Sequence, residues 1–332
     1  MARTPLGHLD DELQRLRDAG LYRPLRVLDG PQAARTRVDG REVVNLSSNN
    51  YLGLTNHPRL KAAAEAALAT WGVGTGSVRT IAGTMAIHEA LESRLAAFKR
   101  TEACVVFQSG FTANAGTVAA ILGRDDVIVS DELNHASIID GARLSRATIK
   151  VFPHGDVDAA RSVLAGVPPG TRTLLITDGV FSMDGDVARL PDLCALAGEF
   201  GAIMMVDDAH ASGVFGAQGR GTVDHFGMHG QVHIQVGTLS KALGALGGYV
   251  AGSRALVDFL RHRARPFLFS TSHPPSVTAT CLAALDVLTE DSTLIDRLWE
   301  NTRYFKDGLR SLGFDTGTSV SPITPVITGD DE

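Results

Sequence analysis

The sequence predicts an α/β protein built on a mostly parallel sheet with helices on both faces. Short apolar runs alternate with helical patterns along the chain, which is the rhythm of βαβ units. The runs are continuously apolar rather than alternating, as expected of strands covered on both sides. They also end, one after another, in polar or glycine-rich turns. In an open parallel sheet, ligands bind beyond the carboxyl ends of the strands, so this coincidence locates a site as well as a fold.

The 332 residues are 44% hydrophobic, enough for a large core with a smaller domain or segment beside it. Residues 1–45 read as an N-terminal arm with a small-domain segment, 46–286 as the large domain and 287–332 as a partial C-terminal domain. Asp10, Asp11, Glu12, Arg15 and Arg17 make the first twenty residues an amphipathic surface helix rather than a signal peptide. In the large domain, 103–108 (ACVVFQ) reads as a strand and 112–122 as a helix. Residues 126–130 (DVIVS) form the next strand, 136–146 a helix and 148–152 a strand. Residues 173–177 (TLLIT) are a strand and 190–200 a helix stopped by Gly201. Residues 202–206 (AIMMV) and 233–236 are strands. A Pro-rich stretch, 267–275, leads into helices at 276–288 and 292–312. A strand is expected at 321–328. One helix and one strand cannot easily bury a core, so this last domain is expected to be incomplete.

Composition removes several function classes. Net charge is −6 and the basic residues are dispersed, which argues against nucleic acid. Cys104, Cys194 and Cys281 are far apart and odd in number, so neither a disulfide framework nor a zinc site is expected. Buried thiols in a reducing cytoplasm fit them better. No apolar run approaches the ~20 residues of a membrane span, and no repeat period appears. The run Gly72-Val73-Gly74-Thr75-Gly76-Ser77 follows a helix and lacks GK[ST], so dinucleotide and Walker loops fail on context.

Four clusters carry chemistry. In Gly237-Thr238-Leu239-Ser240-Lys241, a lysine follows an apolar strand between hydroxyls suited to a phosphate, and its amine can form a Schiff base with an aldehyde cofactor. A lone lysine would more simply be a surface residue; Thr238 and Ser240 shift that balance. In Asp207-Asp208-Ala209-His210, an acid ending a buried strand needs a donating partner, and a protonated pyridine nitrogen is one. A metal site or helix cap is the rival reading of that motif. Ser109-Gly110-Phe111 opens a helix whose amides attract phosphate. His135, in Asn134-His135-Ala136-Ser137, can stack on a planar ring, although a lone histidine is more often structural.

Together these motifs resemble the α-oxoamine synthases, fold-type I enzymes that depend on pyridoxal 5′-phosphate (PLP). The resemblance runs from NLSSNNYLGL (45–54) to SPITP (321–325), through NHASIIDG (134–141), TDGVFSMDGD (177–186), MVDDAHASGVFG (205–216) and GTLSKALG (237–244). It implies a seven-stranded sheet and a homodimer with shared sites. Lys241 is then the Schiff-base lysine and Asp207 the partner of the pyridine nitrogen. His210 and Ser182 contact the phenolic oxygen, and His135 stacks on the ring. Gly110, Phe111, Thr238 and Ser240 hold the phosphate. Thr271 and Ser272 reach the phosphate of the neighbouring subunit, and Asn49 and Arg23 are substrate-side positions. The family's carboxylate-gripping arginine falls after the last residue of this sequence. The implied reaction joins an acyl-CoA to a small amino acid, first glycine with acetyl-CoA, as in glycine C-acetyltransferases. The alternative is alanine with pimeloyl-CoA, decarboxylated, as in 8-amino-7-oxononanoate synthases. An aminotransferase, an inactive truncated PLP-binding relative and, more distantly, a metal or nicotinamide enzyme are the other readings.

Overall fold

A computed structural model describes residues 4–329; residues 1–3 and 330–332, at the ends of the expected N-terminal helix and small domain, lie outside the described residues. The chain divides between Ser47 and Ser48 into two compact units. The first holds α1 (Gly7–Asp18), which buries none of its residues, and the antiparallel pair β1 (Arg35–Val38) and β2 (Arg41–Val44). Asp39 and Gly40 join the pair, both with positive φ, as a two-residue hairpin turn with right-handed strand twist requires.

In the second unit, α2 (Pro58–Trp71) and α3 (Ala86–Lys99) precede β3 (Ala103–Phe107). Then come α4 (Gly110–Ile121), β4 (Val127–Asp131), α5 (Ala136–Ser145), β5 (Thr148–Phe152), α6 (Val157–Ala165), β6 (Thr173–Asp178), α7 (Leu190–Phe200) and β7 (Ile203–Asp207). The short α8 (Thr222–His225) leads to β8 (Ile234–Thr238) and β9 (Gly248–Gly252), followed by α9 (Arg254–Arg263), α10 (Arg265–Leu268), α11 (Pro275–Glu290) and α12 (Thr293–Ser311). The seven strands lie in the order β3-β9-β8-β7-β6-β4-β5; β9 pairs antiparallel with both β3 and β8, and the other pairings are parallel.

Side chains alternate across the sheet. Val105 and Phe107 of β3 pack with Ile128, Ile176 and Met205 against α4, α5 and α9. Cys104 and Val106 face the opposite way, towards α2, α3 and α11, and Val129, Leu175 and Met204 do the same towards α6 and α7. The three cysteines are buried and free. Among the described residues, no helix is long and apolar enough to cross a membrane.

Several elements differ from the sequence reading, which gave neither the β1–β2 hairpin nor α6, and two of the differences are explained by strand pairing. Strand β9 was not anticipated, because Gly248-Tyr249-Val250-Ala251-Gly252 has glycine at both ends and low intrinsic strand preference. It forms because β3 and β8 pair with it on both sides. Conversely, no strand forms at 321–328: its amides meet single carbonyls, Ser321 that of Gly185 (3.1 Å) and Ile327 that of Asp315 (3.0 Å), and no ladder builds up. The start of that segment and the residue before it spend their polar groups elsewhere. Val320 and Ser321 donate their amides to the Gly185 carbonyl (3.2 and 3.1 Å), and Lys306 Nζ donates to the carbonyls of Ser319 and Ser321 (3.0 and 2.6 Å). Ile295 and Trp299 of α12 meanwhile join the same apolar cluster as α2, α3 and α11.

Because β9 is reversed, its first residue lies level with the last residues of β3 and β8: Gly248 pairs with both Phe107 and Thr238. A Cβ at Gly248 would sit 2.3 Å from the Ser109 carbonyl oxygen and 2.6 Å from the Gly110 nitrogen. Gly248→Ala is therefore expected to push the turn at the start of α4 outward and to cost about 1–3 kcal/mol of stability. A urea titration of the variant against the parent checks it.

Candidate functional site

The carboxyl ends of β3, β4, β6, β7 and β8 gather at one edge of the sheet, and the residues singled out by sequence stand there. Asp207 closes β7 and is 4% exposed. Asn114 Nδ2 donates to its Oδ2 (2.6 Å) and the Ala209 amide to its Oδ1 (2.8 Å). Asn114 also donates to Ser137 Oγ (2.9 Å), which ties α4 to α5 behind the acid. The adjacent Asp208 points the other way. It pairs with Lys99 Nζ at 2.9 Å, both side chains fully buried, and accepts the amide and hydroxyl of Thr222. The doubled aspartate thus splits into one acid neutralised in the interior and one aimed at the site.

Lys241 follows β8, half-buried, with Nζ 2.8 Å from His210 Nε2. Burial lowers the pKa of its ammonium, opposed by the carboxylates of Asp207 and Asp178. His210 Nδ1 lies 2.7 Å from the Tyr51 hydroxyl. Burial, then the charges of Lys241 and His135, push the His210 imidazole down to about 3, so it stays neutral near pH 7. A neutral ring has one N–H, so it donates to one neighbour and accepts from the other. Burial also raises the Tyr51 hydroxyl, which keeps its proton.

Asp178 pairs with Asp207 across β6 and β7. Burial and the Asp207 carboxylate raise it well above the usual carboxylate range. It accepts the amide of His135 (3.0 Å), and Asn134 Oδ1 accepts the Asp178 amide (2.8 Å), so the β4 turn is fastened to the end of β6. His135 caps α5, with Nδ1 accepting the Ser137 amide (3.2 Å), and is itself exposed with its ring open to a flat partner.

At the start of α4, Ser109 and Thr112 form a reciprocal cap (3.0 and 3.1 Å). The first-turn amides of Gly110 and Phe111 have no partner within the helix. A Cβ on Gly110 would come 3.5 Å from Thr238 Cβ, so the helix start and the end of β8 are in contact. Thr238 Oγ1 donates to the Gly247 carbonyl (2.9 Å) and lies 2.8 Å from Ser240 Oγ, which is the more exposed hydroxyl. The two donor amides of this helix N-terminus, with the exposed Ser240 hydroxyl beside them, suit an anion.

The remaining positions stand as follows. Ser182 is half-buried in the loop after β6. Ser272 is 5% exposed and donates to the Ser77 carbonyl (3.2 Å), which leaves Thr271 as the exposed hydroxyl of that pair. Asn49 is exposed in the second unit, and Arg23 is exposed in the first. The structure adds Tyr51, Asn114 and Asp178 to the sequence-derived set. Asp178 stood at the end of a legible strand and carried the same signal as Asp207. Asn114 and Tyr51 gave no local signal.

These residues fit PLP. A buried carboxylate holding only neutral donors, with no ion pair among the described residues, suits a protonated pyridine nitrogen. The amine, the anion cradle and the open imidazole suit its aldehyde, phosphate and ring face.

Comparison with known proteins agrees. The family described as aminotransferase class I and II matches residues 41–332. The chain is 60% identical over 324 residues to the 8-amino-7-oxononanoate synthase of Symbiobacterium thermophilum, covering 97% of this chain and 83% of that one. It is 57% identical over 327 residues to the enzyme of the same name from Thermoanaerobacter pseudethanolicus, covering 98% and 83%. A serine palmitoyltransferase variant from S. paucimobilis, solved with a bound PLP–myriocin aldimine, superposes with a TM-score of 0.92 at 33% identity, covering 98% of this chain and 86% of that one.

Removing the support behind Asp207 has a calculable effect. Asn114→Ala leaves one oxygen of a buried carboxylate without its donor and is expected to destabilise the protein by about 1–3 kcal/mol. Thermal unfolding of the variant without added cofactor measures it.

Proposed function

Because the chain belongs to the class I and II aminotransferase family and, within it, to the α-oxoamine synthases, we propose that it is an 8-amino-7-oxononanoate synthase, joining pimeloyl-CoA to L-alanine with loss of carbon dioxide. It is a PLP-dependent enzyme of the acyltransferase type. The observation that carries the finer reading is identity of 57% and 60% to relatives of that name over nearly the whole chain. This reverses the order of the two substrate pairs expected from the sequence: glycine with acetyl-CoA, placed first there, has no such support.

When bound, PLP supplies an aldehyde for the substrate's amino group and a ring that draws electrons from its Cα. The chain's residues do the rest. Asp207 would hold a proton on the pyridine nitrogen, and Asn114 and the Ala209 amide hold Asp207 in place. His135 would stack on the ring, and His210 and Ser182 would contact its phenolic oxygen. Gly110, Phe111, Thr238 and Ser240 would hold the phosphate, with Thr271 and Ser272 serving the neighbouring subunit of a dimer. Asn49 would face the substrate. Lys241, whose amine is easier to deprotonate than a solvated one, would carry the cofactor and move the Cα proton. A neutral His210 beside it can accept a hydrogen bond from the amine and adds no charge of its own.

The purified protein is expected to release CoA faster from pimeloyl-CoA with L-alanine than from acetyl-CoA with glycine. The reverse preference would restore the other pair, and keto-acid exchange without thiol release would indicate an aminotransferase. Lys241→Ala is expected to lose on the order of 10²–10⁴-fold in turnover and the borohydride-fixable visible band of the parent.

A further inference from the structure

The loop after β6 carries Ser182 and is closed on itself. Val180 bridges Val187, the Phe181 amide donates to the Asp186 carbonyl (3.1 Å), and the Gly185 amide donates to the Phe181 carbonyl (2.9 Å). Ser319 Oγ lies 3.3 Å from the Gly185 carbonyl of this loop, and a second side chain outside the described site grips it through Asp186 and Phe181. His154, just beyond β5, donates from Nε2 to Asp186 Oδ2 (2.8 Å) and from Nδ1 to Asp131 Oδ1 (3.0 Å). Its ring also meets the edge of Phe181, with centroids 4.3 Å apart at 78°. Phe181 immediately precedes Ser182. Asp131 in turn ends β4, and its Oδ1 accepts the Leu133 amide (2.9 Å) and its Oδ2 the Gly155 amide (3.0 Å), so it shapes the turn that leads to His135.

We propose that His154 is a positioning residue for the cofactor site, fastening the Ser182 loop to the β4 turn through Asp186 and Asp131. The proposal rests on the PLP site described above, because it is through Ser182 that His154 acts on the cofactor. Two carboxylates accept from one imidazole only if both ring nitrogens carry protons, so the bridge is an imidazolium between two acids. Burial opposes that charge, and the bonds to Asp131 and Asp186 outweigh it and raise the pKa of His154. Glu132, whose carboxylate accepts the His154 amide (2.9 Å), adds negative charge from the same turn. Arg189 faces the same cavity of about 330 Å³ and opposes it, and Asp178 ends the adjoining strand. That cavity gives the imidazole a route for proton exchange. Since its folded pKa is raised, the bridge is fully present below the ordinary histidine value of about 6.5 and is lost as pH rises through the folded value.

The test is a double-mutant cycle read by PLP affinity, titrated into cofactor-free protein, beside an NMR titration of the His154 ring. His154→Gln and Ser182→Ala are each expected to weaken PLP binding about threefold or more, and the double variant no more than the weaker-binding single variant. Asp186→Asn, which keeps the side chain's shape, is expected to repeat the His154→Gln effect and serves if that variant fails to fold. The parent's affinity is expected to fall with rising pH where the His154→Gln variant's does not. Multiplicative losses in the cycle would overturn the proposal, as would a His154 ring that titrates at or below about 6.5. A Ser182→Ala variant with parental affinity would remove the Ser182 contact itself, and this proposal with it. Loss in Ser182→Ala with none in His154→Gln would leave the contact standing and dismiss His154 alone.

Discussion

One buried negative charge organises this protein. Asp207 closes a central strand, is sealed from water and receives only neutral donors from the chain. A carboxylate in that position is stable only where a positive group meets it or where several oriented dipoles do. The rest of the site follows from how that demand is divided. Its neighbour Asp208 has its own cation, Lys99, with both side chains fully buried, so that charge is settled within the fold. Asp178, one strand away, is driven towards the neutral form by burial and by Asp207 itself. Of three acids at the ends of β6 and β7, one is paired with a lysine, one has its pKa raised by burial and by its neighbour, and one receives only neutral donors.

The sheet makes this division possible. Adjacent residues at a strand end point to opposite faces, so the Asp207-Asp208 pair reaches α4 on one side and Lys99 on the other without any special backbone. The reversed strand β9 then brings a residue without a side chain against the start of α4. Phe107, Gly248 and Thr238 sit side by side there, so the helix amides and the β8 hydroxyls meet in one cradle. An all-parallel arrangement would place the other end of that strand at this edge.

Much of this was legible in the sequence, and the boundary has a physical origin. Strands buried on both faces print themselves as continuous apolar runs, so β3, β4, β6 and β7 could be read directly. The polar residues immediately after them, including Asp207, His210 and Lys241, could be read with them. Strand β9 could not, because its state is imposed by two neighbours rather than by its own residues. The segment 321–328 failed in the opposite sense: its composition favours extension, yet its amides reach isolated carbonyls rather than a strand. Tyr51 and Asn114 were also silent. Tyr51 reaches His210 across 159 positions, and Asn114 reaches Asp207 across 93. Such contacts are properties of topology, and no local pattern encodes them.

The same distinction explains why the reaction class was easier to read than the substrate pair. The residues proposed to hold PLP lie at strand ends, where the fold itself concentrates them. They serve glycine and alanine, acetyl and pimeloyl groups alike, because the chemistry at Cα is common to all of them. Discrimination between acyl groups comes from the shape of a pocket, and one methylene in an apolar pocket changes affinity by only about 1–3 kcal/mol. Pocket shape of that precision is set by residues from several elements at once, each individually unremarkable in sequence. Overall likeness to named relatives therefore weighs more than any single motif in choosing the substrate, while Lys241, Asp207 and the cradle weigh more in choosing the cofactor.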